Sequence, residues 1–231
     1  MADPPVTRLP HSYLFVSGAE RSELESAMAA GADIVVADWE DLVPAHRKAE
    51  ARSVTGEVFG ATATRDTPLR LVRVNHPVTE QFHAADLAAL GGMRIDGVVI
   101  PKADLAAMAV FAPLGLSLYP VIEDAQGVRG AYELAALDAT AAVLIGLADL
   151  AWSLGVASHP DALTHARSRI LIDVKAAGKP VIDVPFVNTA EFTLQAHESR
   201  ALGFDGKICR RAEHVLACAI FAERRAAAVE G

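Results

Sequence analysis

The stretch LYPVIEDAQGVRGAYELAALDATAAVLIGLADL, running from Leu118 to Leu150, holds two short apolar runs separated by a segment of helical length. The runs, Ser117 to Ile122 and Thr140 to Gly146, are as long as strands, and Ala125 to Leu137 between them is long enough for a helix. Each run leads to a carboxylate, Glu123 directly after the first and Asp149 three residues beyond the second. A strand–helix–strand unit of this kind makes parallel neighbours, so both acids emerge at the same edge of the sheet. Two acids converging on one spot suit a hard divalent cation. Mg²⁺ is the expected one, because it is held by one or two carboxylates while water and substrate complete its octahedron. Taken singly, either acid reads as a strand-end turn residue or a helix N-cap; the pairing points to a site.

The same alternation extends in both directions. Upstream, strands are expected at Tyr13–Val16, Asp33–Ala37, Leu69–Asn75 and Ile95–Pro101. Downstream, they are expected at Pro180–Val184 and Phe204–Cys209, with Ala-rich helical segments between. Local signals support the boundaries. Ser17 and Glu20 have capping-box spacing, Gly31 and Gly178 stand as helix stops, Pro44 suits the first turn of a helix, and Asp104 and Thr189 are placed as N-caps. A short helix is expected after Asp149, and a final one through Ala222. Eight strands in strict alternation with helices, and strands apolar throughout, imply a parallel sheet covered on both faces. The expected fold is therefore an α/β class (β/α)₈ TIM barrel in a single domain, residues 12–225, behind a disordered lead at residues 1–11. A doubly wound open sheet is the alternative, but no strand is followed by a GxGxxG loop.

Composition excludes several classes of function. A net charge of -8 with no basic run argues against a nucleic-acid footprint. No apolar run approaches the ~20 residues of a membrane span, and the first residues carry no signal-peptide core, so a soluble cytoplasmic protein is expected. Cys209 and Cys218 read as reduced and structural. No HxH or HExxH spacing marks a zinc site, and no G-x-S-x-G elbow marks a serine nucleophile.

In a barrel the chemistry collects at the carboxyl ends of the strands. Here those ends supply Asp38, Glu40, Asp41, Arg73, Asn75, Lys102, Glu123, Asp124, Asp149, Asp183 and Lys207. Alternation along Leu71-Val72-Arg73-Val74-Asn75 places Arg73 and Asn75 on one face. An inward Arg is costly unless paired. Arg73 is thus either a structural partner of Glu40 or Asp41, or a guanidinium fork for a substrate carboxylate or enolate-like oxygen. Lys102 leaves open a Schiff base with a carbonyl substrate or a charge contact with the acids.

Seven segments in register carry a resemblance: Leu14–Gly18, Ala37-Asp38-Trp39-Glu40-Asp41-Leu42-Val43, Val72–Asn75, Val98–Lys102, Val121–Glu123, Gly146–Leu150 and Ala201–Lys207. Together they resemble the citrate lyase beta-subunit (CitE-like) branch of the HpcH/HpaI aldolase/citrate lyase family over nearly the whole chain. The resemblance implies a (β/α)₈ barrel assembled as a homotrimer or a larger homo-oligomer such as a hexamer. It implies Mg²⁺ on Glu123 and Asp149, substrate on Arg73, and carbon–carbon cleavage of a 3-hydroxyacyl-CoA such as citryl-, malyl- or citramalyl-CoA. On this reading Arg73, Glu123 and Asp149 are catalytic. Arg73, Asn75, Lys102 and Glu123 contact a carboxylate or acyl-CoA substrate, and Asp38, Glu40 and Asp41 form a supporting layer that orients Arg73 or metal-bound water.

The departures are specific. Where family members carry PGxRPERFxKA, with bases that help hold the CoA phosphates, this chain has Glu20, Glu23 and Ser26, leaving Arg21 alone. The IHP that usually follows the last strand is replaced by Arg210-Arg211-Ala212, and the C-terminal lid extension of malyl-CoA lyase relatives is not seen. Two alternatives follow: an aldolase acting on a free hydroxy-keto acid, and a non-catalytic barrel subunit or ligand sensor.

Overall fold

The structure is a computed structural model that describes residues 9–61, 68–77, 81–184 and 191–222. Eight parallel strands close into a barrel in sequence order. They are β1 Ser12–Ser17, β2 Ile34–Asp38, β3 Leu69–Arg73, β4 Gly97–Ile100, β5 Ser117–Ile122, β6 Val143–Ile145, β7 Val181–Asp183 and β8 Gly206–Cys209. Closure comes from β1 pairing with β8, where Ser12 faces Lys207 and Leu14 faces Cys209. The helices among the described residues are α1 Arg21–Met28, α2 Lys48–Ala61, α3 His83–Leu90, α4 Leu105–Phe111, α5 Ala125–Arg129, α6 Ala131–Ala136, α7 Leu147–Leu154, α8 Pro160–Ala176 and α9 Phe192–Leu202. None of them is long and apolar enough to cross a membrane.

The strands are buried on both faces, so Ile34, Val35, Val36 and Ala37 are all inaccessible, as are Val98, Val99 and Ile100. Side chains fill the barrel axis. Tyr13 of β1 and Tyr119 of β5 come from opposite strands and meet edge to face at 6.3 Å between ring centroids. Gly97 of β4 makes room for this contact, since a Cβ there would lie 2.7 Å from Cε2 of Tyr119 and 2.6 Å from the Ser117 carbonyl oxygen. Burial is the main reason the Tyr13 phenol titrates well above its ordinary value, and the Tyr119 phenol is pushed up to about 12 by the same cause.

Helix ends follow the expected chemistry in most places. Asp104 accepts from the Ala107 N–H at 2.6 Å, and Gly31, Gly178 and Gly203 take positive φ at helix stops. Four expectations are corrected. Ser17 accepts from the Ala19 N–H, and Glu20 sits at the N-cap with its carboxylate on Arg47, so no capping box forms. The expected Ala125–Leu137 helix breaks at Gly130 into α5 and α6. Pro44 precedes a 3₁₀ turn at Ala45–Arg47 rather than entering α2 directly. The chain after β8 winds as 3₁₀ turns, Ala212–His214 and Leu216–Phe221, instead of an α-helix. Thr189 lies outside the described residues. Cys209 and Cys218 are both free and buried, with Sγ atoms 3.5 Å apart.

At the amino end of the barrel, acids hold the strand starts together. Asp33, just before β2, accepts from the backbone N–H groups of His11 and Ser12 and from the Ser12 hydroxyl, at 2.9, 3.1 and 2.9 Å. Asp96 before β4 accepts from Arg70 N, and Asp205 before β8 accepts from Val181 N. Each acid satisfies a strand-edge donor that would otherwise be left without a partner. Replacing Asp33 by Ala is expected to cost about 3 kcal/mol, the order of losing several hydrogen bonds to a charged acceptor, read by urea denaturation. A loss below about 1 kcal/mol would show that water replaces the carboxylate without penalty.

Candidate active site at the carboxyl ends of the strands

Asp38 and Arg73 are register partners, the last residues of β2 and β3. The guanidinium grips the carboxylate in two places, Nε donating to Oδ1 at 2.9 Å and Nη2 donating to Oδ2. Nη1 donates to Asp41 Oδ2 at 3.2 Å and lies 2.9 Å from Glu40 Oε2. The loop between β2 and α2 folds around the same carboxylate, because Asp38 also accepts from the N–H groups of Glu40 and Leu42. Lys48 ties the loop from the other side, its Nζ donating to the carbonyls of Trp39 and Glu40 at 2.7 and 2.8 Å. The face of the Arg73 guanidinium lies 5.6 Å from the Phe15 ring. Glu40 and Asp41 both lie against the Arg73 guanidinium, but the bidentate partner is Asp38.

Glu123 emerges directly after β5 and is 5% exposed. Its Oε1 accepts from the Lys102 N–H at 2.7 Å. The other side of its carboxylate lies flat on Gly146, where a Cβ would fall 2.4 Å from Oε2 and 2.7 Å from the Glu123 Cβ. Lys102, two residues past β4, adopts φ 45°, a left-handed conformation that costs a non-glycine residue on the order of 1–2 kcal/mol. That turn aims its ammonium at Asp149 Oδ2, 3.2 Å away, and 4.0 Å from Glu40 Oε1. Asp149 lies inside the first turn of α7 rather than before a helix, so the helix starts earlier than the sequence suggested. Lys102 thus links the two acids, its backbone N–H on Glu123 and its ammonium on Asp149.

The electrostatic balance of this cluster is lopsided. Among the described residues, the only cationic side chains that pair with Asp38, Glu40, Asp41 and Asp149 are Arg73 and Lys102, and Glu123 is met by the Lys102 N–H. Burial drives the Glu40 carboxyl up to about 8, opposed by Arg73 and reinforced by the charges of Asp41, Glu123 and Asp38. Burial also drives Glu123 up to about 7, with Asp149 adding to the effect and Arg73 opposing it. Glu40 Oε2, although close to Arg73, has no hydrogen aimed at it and is a buried acceptor without a hydrogen-bond partner. Lys102 is raised as well, its acid neighbours outweighing partial desolvation so that it holds its proton more tightly than usual. Among the described residues no three His, Cys, Asp or Glu side chains gather closely enough to hold a metal by themselves. The expected ligand set, two carboxylates with the remaining positions left to water and substrate, needs no third side chain.

Other sequence-designated residues lie elsewhere. Asn75 is buried, with its N–H and its Nδ2 both donating to Asp86 Oδ2 at 2.8 Å. It is not brought to Arg73 because β3 ends at Arg73, and the alternation that paired them stops with the strand. Asp183 and Lys207 pin one another at 2.8 Å together with Arg167 and Ser199, a satisfied charge cluster under α8 and α9. Asp124 is the N-cap of α5. A cavity of about 200 Å³ opens over the barrel mouth, walled by Phe15, Asp41, Arg73, Gly146, Val184 and Arg210. Arg210 was noticed in the sequence only as a departure from a motif; its place in this wall required the fold.

A closed parallel barrel with acids and a guanidinium gathered at the carboxyl ends of its strands defines the class: a (β/α)₈-barrel protein with its candidate site in the usual place for that fold. Within that class the chain belongs to the HpcH/HpaI aldolase/citrate lyase family, whose model matches residues 11–113 and 115–212. It is 33% identical over 220 residues to a (3S)-malyl-CoA thioesterase of Cereibacter sphaeroides, covering 91% of this chain and 76% of that one. It is 34% identical over 206 residues to a citrate lyase subunit beta-like protein of Mycobacterium tuberculosis, covering 83% and 71%. The fold matches the M. tuberculosis CitE protein in complex with magnesium, acetoacetate and coenzyme A with a TM-score of 0.77 and 29% identity, over 93% of this chain and 82% of that one.

Gly146 gives this geometry its sharpest test. Gly146→Ala is expected to cost about 1–3 kcal/mol in urea denaturation, the usual penalty of overpacking, because the new methyl meets the Glu123 carboxylate. Adding Glu123→Ala should recover part of that loss. Strict additivity of the two substitutions would mean that they do not touch.

Proposed function

We propose that this chain is a Mg²⁺-dependent carbon–carbon lyase that cleaves a 3-hydroxyacyl-CoA, of the citryl-, malyl- or citramalyl-CoA type, into an acyl-CoA and a keto acid. The observation that carries the reading is the gathering of buried Glu40 and Glu123 with half-exposed Asp149, three carboxyl groups that only Arg73 and Lys102 oppose among the described residues. Such a cluster favours a hard cation, and its donors are oxygens only. Glu123 and Asp149 would hold the ion. When bound, Mg²⁺ supplies Lewis-acid polarisation of the hydroxyl and carboxylate of the keto-acid half. The magnesium complex of the M. tuberculosis relative supports this assignment.

The side chains have separable tasks. Cleavage moves the electron pair of the broken bond onto the thioester fragment as an enolate, so negative charge grows on its oxygen. Arg73 gives one hydrogen each from Nε, Nη1 and Nη2 to Asp38 and Asp41, which leaves a second hydrogen on each Nη that could serve that oxygen. Asp38 keeps the guanidinium plane fixed while this happens, and the Phe15 ring limits its rotation. Lys102, held protonated by its acid neighbours, acts as a mobile ammonium that can leave Asp149 for a substrate carboxylate. A raised Lys pKa does not suit an amine nucleophile, which favours the metal-assisted reaction over Schiff-base chemistry at Lys102.

One observation favours a second reading, an aldolase on a free hydroxy-keto acid. The cations near the amino end of α1 are already neutralised, Arg21 by Glu25 and Glu57, Arg47 by Glu20 and Glu50, so this face offers a polyphosphate little positive charge. We further read the protein as a cytoplasmic homo-oligomer, a trimer or hexamer, in keeping with Trp152 and Leu216, which are 85% and 84% exposed in the single chain. Light scattering tests that assembly.

Incubation with citryl-, malyl- and citramalyl-CoA should yield acyl-CoA and keto acid with Mg²⁺ and nothing with EDTA. Pyruvate release from 4-hydroxy-2-oxo acids alone would select the aldolase. Free malate and coenzyme A as the only products would replace the lyase by hydrolysis, the activity named for the C. sphaeroides relative. By calorimetry, Mg²⁺ affinity should fall at least 10-fold in Glu123→Gln, the usual scale for losing one good ligand or its support. Equal affinity in variant and wild type would remove Glu123 from the metal site.

A further inference from the structure

We infer that Arg210 binds an anionic group on the substrate arm that leaves the barrel mouth, and that it is a specificity-determining residue of this chain. The inference rests on the reading above in one respect, that the substrate is a small anion or carries one. Arg210 directly follows β8 and is exposed. It walls the 200 Å³ mouth cavity and also a second cavity of about 400 Å³ that leads outward past Ser22, Glu23 and Ser26 of α1. Phe15 and Leu42 are walls of both as well, so the two spaces adjoin, with Arg210 at their junction. Together they have the size of an ordinary small-molecule site.

Among the cationic side chains that line these spaces, Arg210 differs from the other two. Arg73 is engaged by Asp38, Glu40 and Asp41, and Arg211 pairs with Glu213 at 3.3 Å. No ion pair involves Arg210 among the described residues. Its backbone is steadied: the Arg210 N–H donates to His214 Nδ1 at 3.4 Å, and the His214 ring stacks on Phe192 at 4.1 Å between centroids. A guanidinium on a fixed backbone, with all its donors available, presents a planar fork suited to a carboxylate or phosphate. At this acid-rich mouth, a cation not already paired to an acid favours an approaching anion.

The anion has two possible sources, the phosphates of a coenzyme A thioester or the second carboxylate of a free hydroxy acid. Calorimetry in saturating Mg²⁺ with coenzyme A and with malate as separate probes distinguishes them. Arg210→Ala is expected to weaken binding of one probe at least 10-fold, Arg210→Lys to restore it in part, and Mg²⁺ affinity without either probe to stay unchanged. A loss confined to coenzyme A assigns a phosphate, and one confined to malate a carboxylate. Equal binding of both probes by wild type and Arg210→Ala, no binding of either probe by wild type, or a parallel loss of Mg²⁺ affinity would overturn the inference. Failure of the lyase reading looks different: no thioester is cleaved, while the dependence of probe binding on residue 210 remains.

Discussion

The carboxyl end of this barrel depends on one pair, the Asp38 carboxylate in the fork of Arg73. A guanidinium at the mouth of an apolar barrel is tolerable only with a partner whose place is guaranteed, and adjacent strands in fixed register guarantee it. The same carboxylate organises the loop that carries Glu40 and Asp41, so one anion sets both the orientation of the cation and the path of the chain around it. Removing Arg73 would leave the buried Asp38 carboxylate with no cation against it, a change that costs roughly 3–5 kcal/mol.

The two ends of the barrel use acids in opposite ways. At the amino end Asp33, Asp96 and Asp205 each precede a strand and are consumed by donors at the start of the neighbouring strand. At the carboxyl end Glu40 and Glu123 are buried with too few donors, and their raised pKa values register the shortage. Saturated acids hold a structure together; under-supplied ones are available for chemistry.

The barrel was legible because strands covered on both faces read as unbroken apolar runs, and Gly, Pro and Asp mark the helix boundaries between them. That Glu123 and Asp149 leave the sheet at the same edge was legible too, since parallel strands share direction. What escaped depends on distances between strands. The primacy of Asp38 over Glu40 and Asp41 follows from register, which no single strand encodes. Asn75 was misplaced because period-two alternation was carried two residues past the end of β3, and the turns after β8 were taken for a helix because a 3₁₀ segment has nearly the same apolar spacing. The strand-start acids left a signal that went unused, an Asp one residue before β2, β4 and β8.

The aromatic contact between Tyr13 and Tyr119 stops the axis of the barrel below the site. Beneath the mouth the barrel is filled, and the space above it continues outward along the cavity that Arg210 borders. Whatever binds at the mouth therefore comes and goes on the helix-loop side, because two tyrosine rings close the way through the axis.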